Sequence, residues 1–404
     1  VMMPSCVPAT HVDDNGCILT AGKMKGYLEH PRILGLGEVM DAPSVINGSV
    51  AMHEKLQLFQ DRVKDGHAPF LAPGDLAAYV LGGIDTDHEC VDYEYAMAEA
   101  RNGMQVLIRE GSAARNLDAI VKGIVEHHTD TSGFCFCTDD KHIDDLSKNG
   151  SIDTSIKMCI KNGLAPEIAI QMATLNAAEC YNLKNKGAIA PSYIADFIIL
   201  DNLEEFKINS VYKNGKLIVK DNKLVIDIAD LYSAPTLNNS INLPKLTKDS
   251  LKIDIKNKSI LNVIELIPNK LESNHLRLDI NKLNLNEEFV SDTTSDNLLK
   301  IAVIERHKNT GNVGLGVLKG LNIKTGAIAT TIAHDSHNLI VCGTNDNDML
   351  FAIEELKNIN GGIIIVKDGV VLASISLEIG GIITSRKFND VISDLNKLHD
   401  ALKI

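Results

Sequence analysis

Four polar side chains able to hold a metal each close a short apolar run: Glu38 in LGLGEVMD, His67 in VKDGHAP, His88 with Glu89 beside it in GIDTDHE, and Asp139 in FCFCTDD. Ligands delivered at the ends of successive strands share one face when the strands run parallel, as at the mouth of a (β/α)8 barrel. The intervals between the four are 29, 21 and 51 residues. A further strand in VLIREGS, near 105–112, divides the longest interval into near-regular strand-plus-helix repeats.

Six strand ends are expected before residue 140: Val1–Pro4, Ile33–Val39, a short run before His67, Gly82–Asp87, Gln105–Ile108 and Gly133–Thr138. Between several of them, Ser49–Lys64 and Tyr93–Asn102 repeat apolar residues every three to four positions, the helical period. The expected fold class is α/β: a (β/α)8 TIM-type barrel over 1–190 whose first two strands lie before Val1. Val1 is not an initiator, and VMMPSCVPA reads as a buried strand followed by a turn, so an N-terminal segment is expected upstream. Two helices follow, Ile152–Lys161 and Pro166–Tyr181, the second opening on proline where its missing N–H costs little.

From Ala195 the pattern becomes alternating, with turns at Asn214-Gly215 and Asp221-Asn222, which predicts a small β-sheet segment over 191–232. The polar, proline-marked SAPTLNNSINLPKL, 233–246, reads as a linker. Residues 247–404 read as a mixed α/β domain, with alternating segments at 259–266 and 361–377 and a glycine-rich centre at 311–327. The last helix, Phe388–Leu402, has no polar tail, so truncation is expected at this end too.

A formal charge of −13 disfavours nucleic acid and anionic membranes as partners, and no local basic patch offsets it. No apolar stretch reaches the roughly 20 residues of a membrane span. The eight cysteines lack Cys-x-x-Cys pairing and the density of a disulfide scaffold, so reduced thiols in a cytoplasmic protein are expected.

Carboxylate and imidazole donors suit Zn²⁺, Mn²⁺ or Fe²⁺. Asp139 is placed to ligate and to take a proton from a bound water, and Glu89 to carry a second proton to a leaving group. In REGSAARN, Arg109 and Glu110 are candidate substrate contacts, while Ser112 reads equally as a helix N-cap. The His127-His128 pair reads as solvated loop. The cluster His334-Asp335-Ser336-His337 has the composition of a metal or proton-relay site, against which stands a structural, hydrogen-bonded loop.

Taken in order, MMPSCVPAT, GLGEVMD, DGHAP, DHEC, REGSAARN, CTDD, QMATLNAAECY, GAIAP and AHDSHN closely resemble the bacterial and archaeal adenine deaminase family of the amidohydrolase superfamily. The resemblance spans nearly the whole chain. It implies a metal-dependent barrel, a small flanking sheet and an adenine-deaminase-type C-terminal domain carrying AHDSHN. It implies hydrolysis of adenine to hypoxanthine and ammonia in purine salvage or catabolism, a centre of two divalent ions (manganese or iron, with zinc an alternative), and a homo-oligomer. By resemblance, Glu38 takes the metal-bridging place, His67 and His88 are ligands, and Asp139 rather than Asp140 ligates metal and handles the proton. His334, Asp335 and His337 become candidate substrate contacts. The family's first-strand His-x-His pair is expected before Val1, so these residues form part of a ligand set.

Three positions depart from the family pattern: Ser151 stands in place of a histidine, Ser192 in place of a glycine, and LEIGGIITS at 377–385 puts Glu378 in place of a proline. The last is expected to bear on C-terminal packing more than on barrel chemistry. Two other readings are a different amidohydrolase acting on a related aminopurine or cyclic amide, and a non-catalytic remnant of the fold.

Overall fold

The computed structural model describes residues 1–10, 12–227, 237–268, 273–283, 287–294 and 297–403. The chain forms two compact units, the first from 1–10 and 19–230, the second from 11–18 and 231–404.

In the first unit six strands follow one another: β1 Met2–Pro4, β2 Gly35–Val39, β3 Val63–Gly66, β4 Thr86–Asp87, β5 Gln105–Arg109 and β6 Phe134–Cys137. Every ladder among them is parallel, β1 to β2 to β3 and β4 to β5 to β6, with Gly35 opposite Val63 and Val106 opposite Phe134. Lys64 and Asp85 tie the two ladders together: the Asp85 N–H donates to the Lys64 carbonyl (2.9 Å), and the Asp85 carboxylate accepts from the Lys64 N–H (2.8 Å). Gly66 allows this approach, since a Cβ there would come within 2.3 Å of the Thr86 carbonyl.

QVLIR and FCFC are apolar on both faces, as parallel strands covered on both sides must be, and Val106, Ile108, Phe134 and Cys135 are buried. Helices lie between the strands. Leu76 and Tyr79 of Pro73–Leu81 pack with Phe59 and Leu36, and Ile120, Val121 and Ile124 of Leu117–Glu126 pack with Ile108 and Phe134.

Two helices differ from expectation. The first runs only Val50–Leu58, because Phe59 turns into the core and Val63 already starts β3. Pro166–Tyr181 divides into Pro166–Ala173 and Leu175–Cys180 at Thr174, whose hydroxyl bonds back to the Ile170 carbonyl (2.6 Å). The break turns Asn176 inward, where its amide donates to the carbonyls of Thr131 (2.7 Å) and Phe134 (2.8 Å) at the start of β6.

An antiparallel sheet completes this unit: β7 Phe197–Asn202, β8 Lys207–Lys213, β9 Lys216–Lys220 and β10 Lys223–Leu224. Both expected turns are present, with positive φ at Asn214, Gly215, Asp221 and Asn222. Ser192, just before the sheet, has φ 68°, a conformation that favours the glycine of the family pattern.

The second unit is built on eight strands: β11 Ile260–Leu266, β12 Ser273–Asp279, β13 Leu298–Ile304, β14 Val313–Lys319, β15 Ala327–Thr330, β16 Leu339–Gly343, β17 Gly362–Lys367 and β18 Val370–Ser376. Their order is β12-β11-β14-β13-β16-β15-β17-β18, antiparallel throughout except between β11 and β14. The helix Asp346–Asn358 lays Met349, Ala352, Ile353 and Leu356 on one face, against Ala302, Ala329, Val341 and Ile364.

The segment read as a linker is packed rather than free over its described part. Its first residues, 233–236, lie outside the described residues. Ile241 is buried, Leu243 and Leu246 join the core, and the Asn242 N–H donates to the Arg306 carbonyl (2.7 Å). The polar composition reflects these tethers. Glu378 has a similar outcome, since its carboxylate accepts from the N–H (2.8 Å) and hydroxyl (2.7 Å) of Ser385 and closes the turn after β18.

Two stability changes follow from the first unit. Asn176→Ala removes the amide from both carbonyls, of which Thr131 keeps the Phe134 N–H (3.0 Å), and should cost about 1–3 kcal/mol in urea denaturation. Ser192→Gly relieves the left-handed backbone and should add about 1 kcal/mol in the same measurement; a neutral result in either variant contradicts the corresponding contact or strain.

Candidate metal centre

The four strand-end residues converge. Glu38 stands near the end of β2, His67 directly after β3, His88 and Glu89 directly after β4, Arg109 at the end of β5, and Asp139 two residues after β6. Each side chain therefore emerges at the carboxyl end of its strand, where parallel α/β sheets place their sites.

Glu38 Oε1 lies 3.0 Å from His67 Nδ1 and 3.4 Å from His88 Nε2. Glu89 Oε1 is 3.5 Å from the same His67 nitrogen and 3.4 Å from the same His88 nitrogen. Glu38, His67 and His88 form one donor triangle, and His88, Glu89 and Asp139 a second, each with its atoms within 4.8 Å. His88 belongs to both.

Arg109, almost wholly buried, joins the two acids. It forms a fork with Glu89 (Nη1 to Oε1 2.7 Å, Nη2 to Oε2 3.2 Å) and reaches Asp139 Oδ2 at 2.5 Å. Asp139 has φ 47°, unusual for a non-glycine residue, and this turns its carboxylate toward Arg109. Asp140 points elsewhere and accepts from the Ala113 N–H (2.5 Å).

Electrostatics bind the group further. Burial pushes Glu38 up, but hydrogen bonds from His67 and His88 outweigh it and hold the carboxyl well below its usual range. Burial alone depresses an imidazole; here the Glu38 contact overcomes it, raising His67 and lifting His88 to about 9. The ring nitrogens that face Glu38 and Glu89 are sites that a cation can take. Two imidazoles and two or three carboxylates within a few ångströms fit a divalent ion of borderline hardness.

The remaining candidates make contacts of other kinds. Glu110 continues the pairing of β5 through its N–H to the Cys137 carbonyl (3.1 Å), and burial raises its carboxyl. Ser112 is not the helix N-cap, which is Asn116; its hydroxyl accepts from the His142 N–H (2.8 Å). His127 stacks on Tyr93 with ring centroids 4.9 Å apart. His334, Asp335 and His337 belong to the second unit, in the turn between β15 and β16. There His334 pairs with Asp335, and the His337 carbonyl accepts from Arg306 Nε (2.5 Å).

The sequence pattern does not reveal the tethers behind the candidate ligands. The Tyr79 hydroxyl donates to the Val39 carbonyl (2.5 Å) and accepts from the His67 N–H (3.0 Å), joining the two strand ends that carry Glu38 and His67. Asp87 accepts from the N–H of Ala68 (2.6 Å) and of Glu89 (2.5 Å). Tyr79 sits on an apolar helix face and reads as core, whereas a buried aspartate inside the short run TDHE is a signal that sequence could have supplied.

Residues 1–218 match the amidohydrolase family, and residues 276–404 match the adenine deaminase C-terminal domain. The chain is 47% identical to an adenine deaminase of Desulfitobacterium hafniense (strain Y51), over 98% of this chain and 68% of that protein. It is 42% identical to one of Lysinibacillus sphaericus (strain C3-41), over 100% of this chain and 69% of that protein, and 43% identical to one of Geobacillus kaustophilus (strain HTA426), over 100% and 70%. Strand-end residues able to hold a metal, a matching hydrolase domain and relatives alike across both units agree: the chain belongs to the adenine deaminase family of amidohydrolases.

Proposed function

We propose that the protein hydrolyses adenine to hypoxanthine and ammonia, and that its six parallel strands are part of a (β/α)8 barrel whose mouth is the candidate metal centre. The observation that carries this reading is the convergence of Glu38, His67, His88, Glu89 and Asp139 at the ends of β2, β3, β4 and β6. Relatives called adenine deaminase, alike over nearly the whole chain, supply the substrate.

Glu38, His67, His88 and Asp139 would hold divalent metal, which lowers the pKa of water toward neutrality and makes it a competent nucleophile. Asp139 accepts the proton released as the water oxygen bonds to C6 of adenine. Glu89 gives a proton to the amino nitrogen, so that ammonia leaves and the purine ring regains aromaticity. Arg109 holds both carboxylates by one guanidinium, which keeps the proton's departure and delivery points side by side. A ligand atom of Asp139 and one of Glu89 lie within 4.8 Å of each other, which suits one proton passing between two acids of the same site.

Glu38→Gln and Asp139→Asn should each lower adenine turnover by about 10²–10⁴-fold while the circular dichroism spectrum is retained. Ammonia release is the measurement, with cytosine, guanine and hydantoin as comparison substrates; near-normal turnover in either variant refutes the assigned roles, and a preference for a comparison substrate refutes adenine. Metal uptake should also depend on pH. Because His67 and His88 are raised, with His88 near 9, an entering ion displaces protons. Manganese affinity should climb with pH by roughly tenfold or more per unit and level off near 9, and a flat profile in a chelator-competition titration would contradict this.

A further inference from the structure

The helix Tyr93–Arg101 turns a carboxylate, Glu99, into the protein interior. Glu99 is 0% exposed, and neither of its oxygens accepts a hydrogen bond among the described residues. Its polar neighbours are Asp87, also 0% exposed, and the buried thiol Cys90; one ligand atom from each of the three lies within 4.8 Å of the others. Two carboxylates cannot both stay charged in such a place without a cation, because the desolvation of each adds to their repulsion. A shared proton converts that repulsion into a hydrogen bond.

The proton's place follows from what each acid already does. Both Asp87 oxygens already accept backbone N–H groups, from Ala68 and Glu89. Glu99 accepts none. Burial first, and Asp87 second, push Glu99 up to about 10. Glu99 is thus the acid and Asp87 the acceptor.

The two amides held by Asp87 are those directly after His67 and His88. One helical turn before Glu99, Tyr95 donates from its hydroxyl to the Ala68 carbonyl (2.5 Å) and accepts from the Leu71 N–H (2.8 Å). Ala68 is therefore gripped at both its N–H and its C=O.

We propose that Glu99 is a positioning residue for the candidate metal centre, donating its O–H to Asp87 and so fixing the backbone that carries His67 and His88. The proposal rests on the reading of those histidines as metal ligands. Outer hydrogen bonds of this kind commonly change metal affinity by about 10–100-fold when removed.

Glu99→Gln keeps a donor of the same shape, whereas Glu99→Leu keeps only bulk. In the full protein, manganese affinity by chelator competition should stay within about threefold of wild type for Glu99→Gln and fall by about 10–100-fold for Glu99→Leu. The split should appear in kcat more than in KM for Glu99→Leu. In infrared difference spectra at pH 7, the wild type should show a protonated-carboxyl C=O band that Glu99→Gln lacks. Wild-type affinity in a folded Glu99→Leu protein overturns the proposal, as does absence of the band. Loss of one bound ion per chain in Glu99→Gln would instead make Glu99 a ligand and also overturn it. If Glu99→Leu does not fold, Glu99→Gln decides alone, by retaining affinity while losing the band. A wild type that binds no divalent ion sinks the reading of the centre and this proposal together, whereas binding without adenine turnover sinks only the substrate.

Discussion

A buried guanidinium makes the acidic centre tenable. Glu38, Glu89 and Asp139 gather within reach of two imidazoles, and without a fixed cation the acids would repel one another out of register. Arg109 supplies it, forked to Glu89 and reaching Asp139 from the end of β5. Removing one member of a buried pair strands the other at a cost of about 3–5 kcal/mol. Arg109 is a candidate substrate contact by sequence; in the structure its Nη1 and Nη2 donate to the carboxylates of Glu89 and Asp139.

The second unit handles a buried guanidinium in another way. Arg306 is 1% exposed and bonds to carbonyls: Nε to His337 (2.5 Å), Nη1 to Ser240 (3.3 Å) and Nη2 to Gly380 (3.0 Å). Three chain segments distant in sequence meet on one side chain. Gly381 packs flat against it, since a Cβ there would come within 2.8 Å of Nη1. This explains why the AHDSHN turn, the residues after 236 and the glycine pair after β18 form one region, and why the segment near Ser240 cannot act as a free linker.

Strand ends were legible because each candidate ligand closes an apolar run and the runs recur at strand-plus-helix intervals. Helix existence was legible for the same periodic reason, and the hairpin turns were legible because Asn-Gly and Asp-Asn tolerate positive φ. What stayed hidden depends on three-dimensional closure. The break at Thr174 comes from a hydroxyl competing with the backbone, the turn of Asp139 from a backbone angle, and the roles of Tyr79, Tyr95 and Glu99 from tips of helical side chains whose spacing reads only as core. Residues 11–18 joining the second unit had no local signature at all.

The double grip on Ala68 divides the work of ordering between two stages. Freezing a loop residue's backbone costs about 1–2 kcal/mol of conformational entropy. With its N–H on Asp87 and its C=O on Tyr95, that cost falls on folding, when the surrounding core is being buried anyway. A ligand arriving at His67 then meets a backbone with little freedom left to lose, so affinity at the strand ends draws on order already established by the helices behind them.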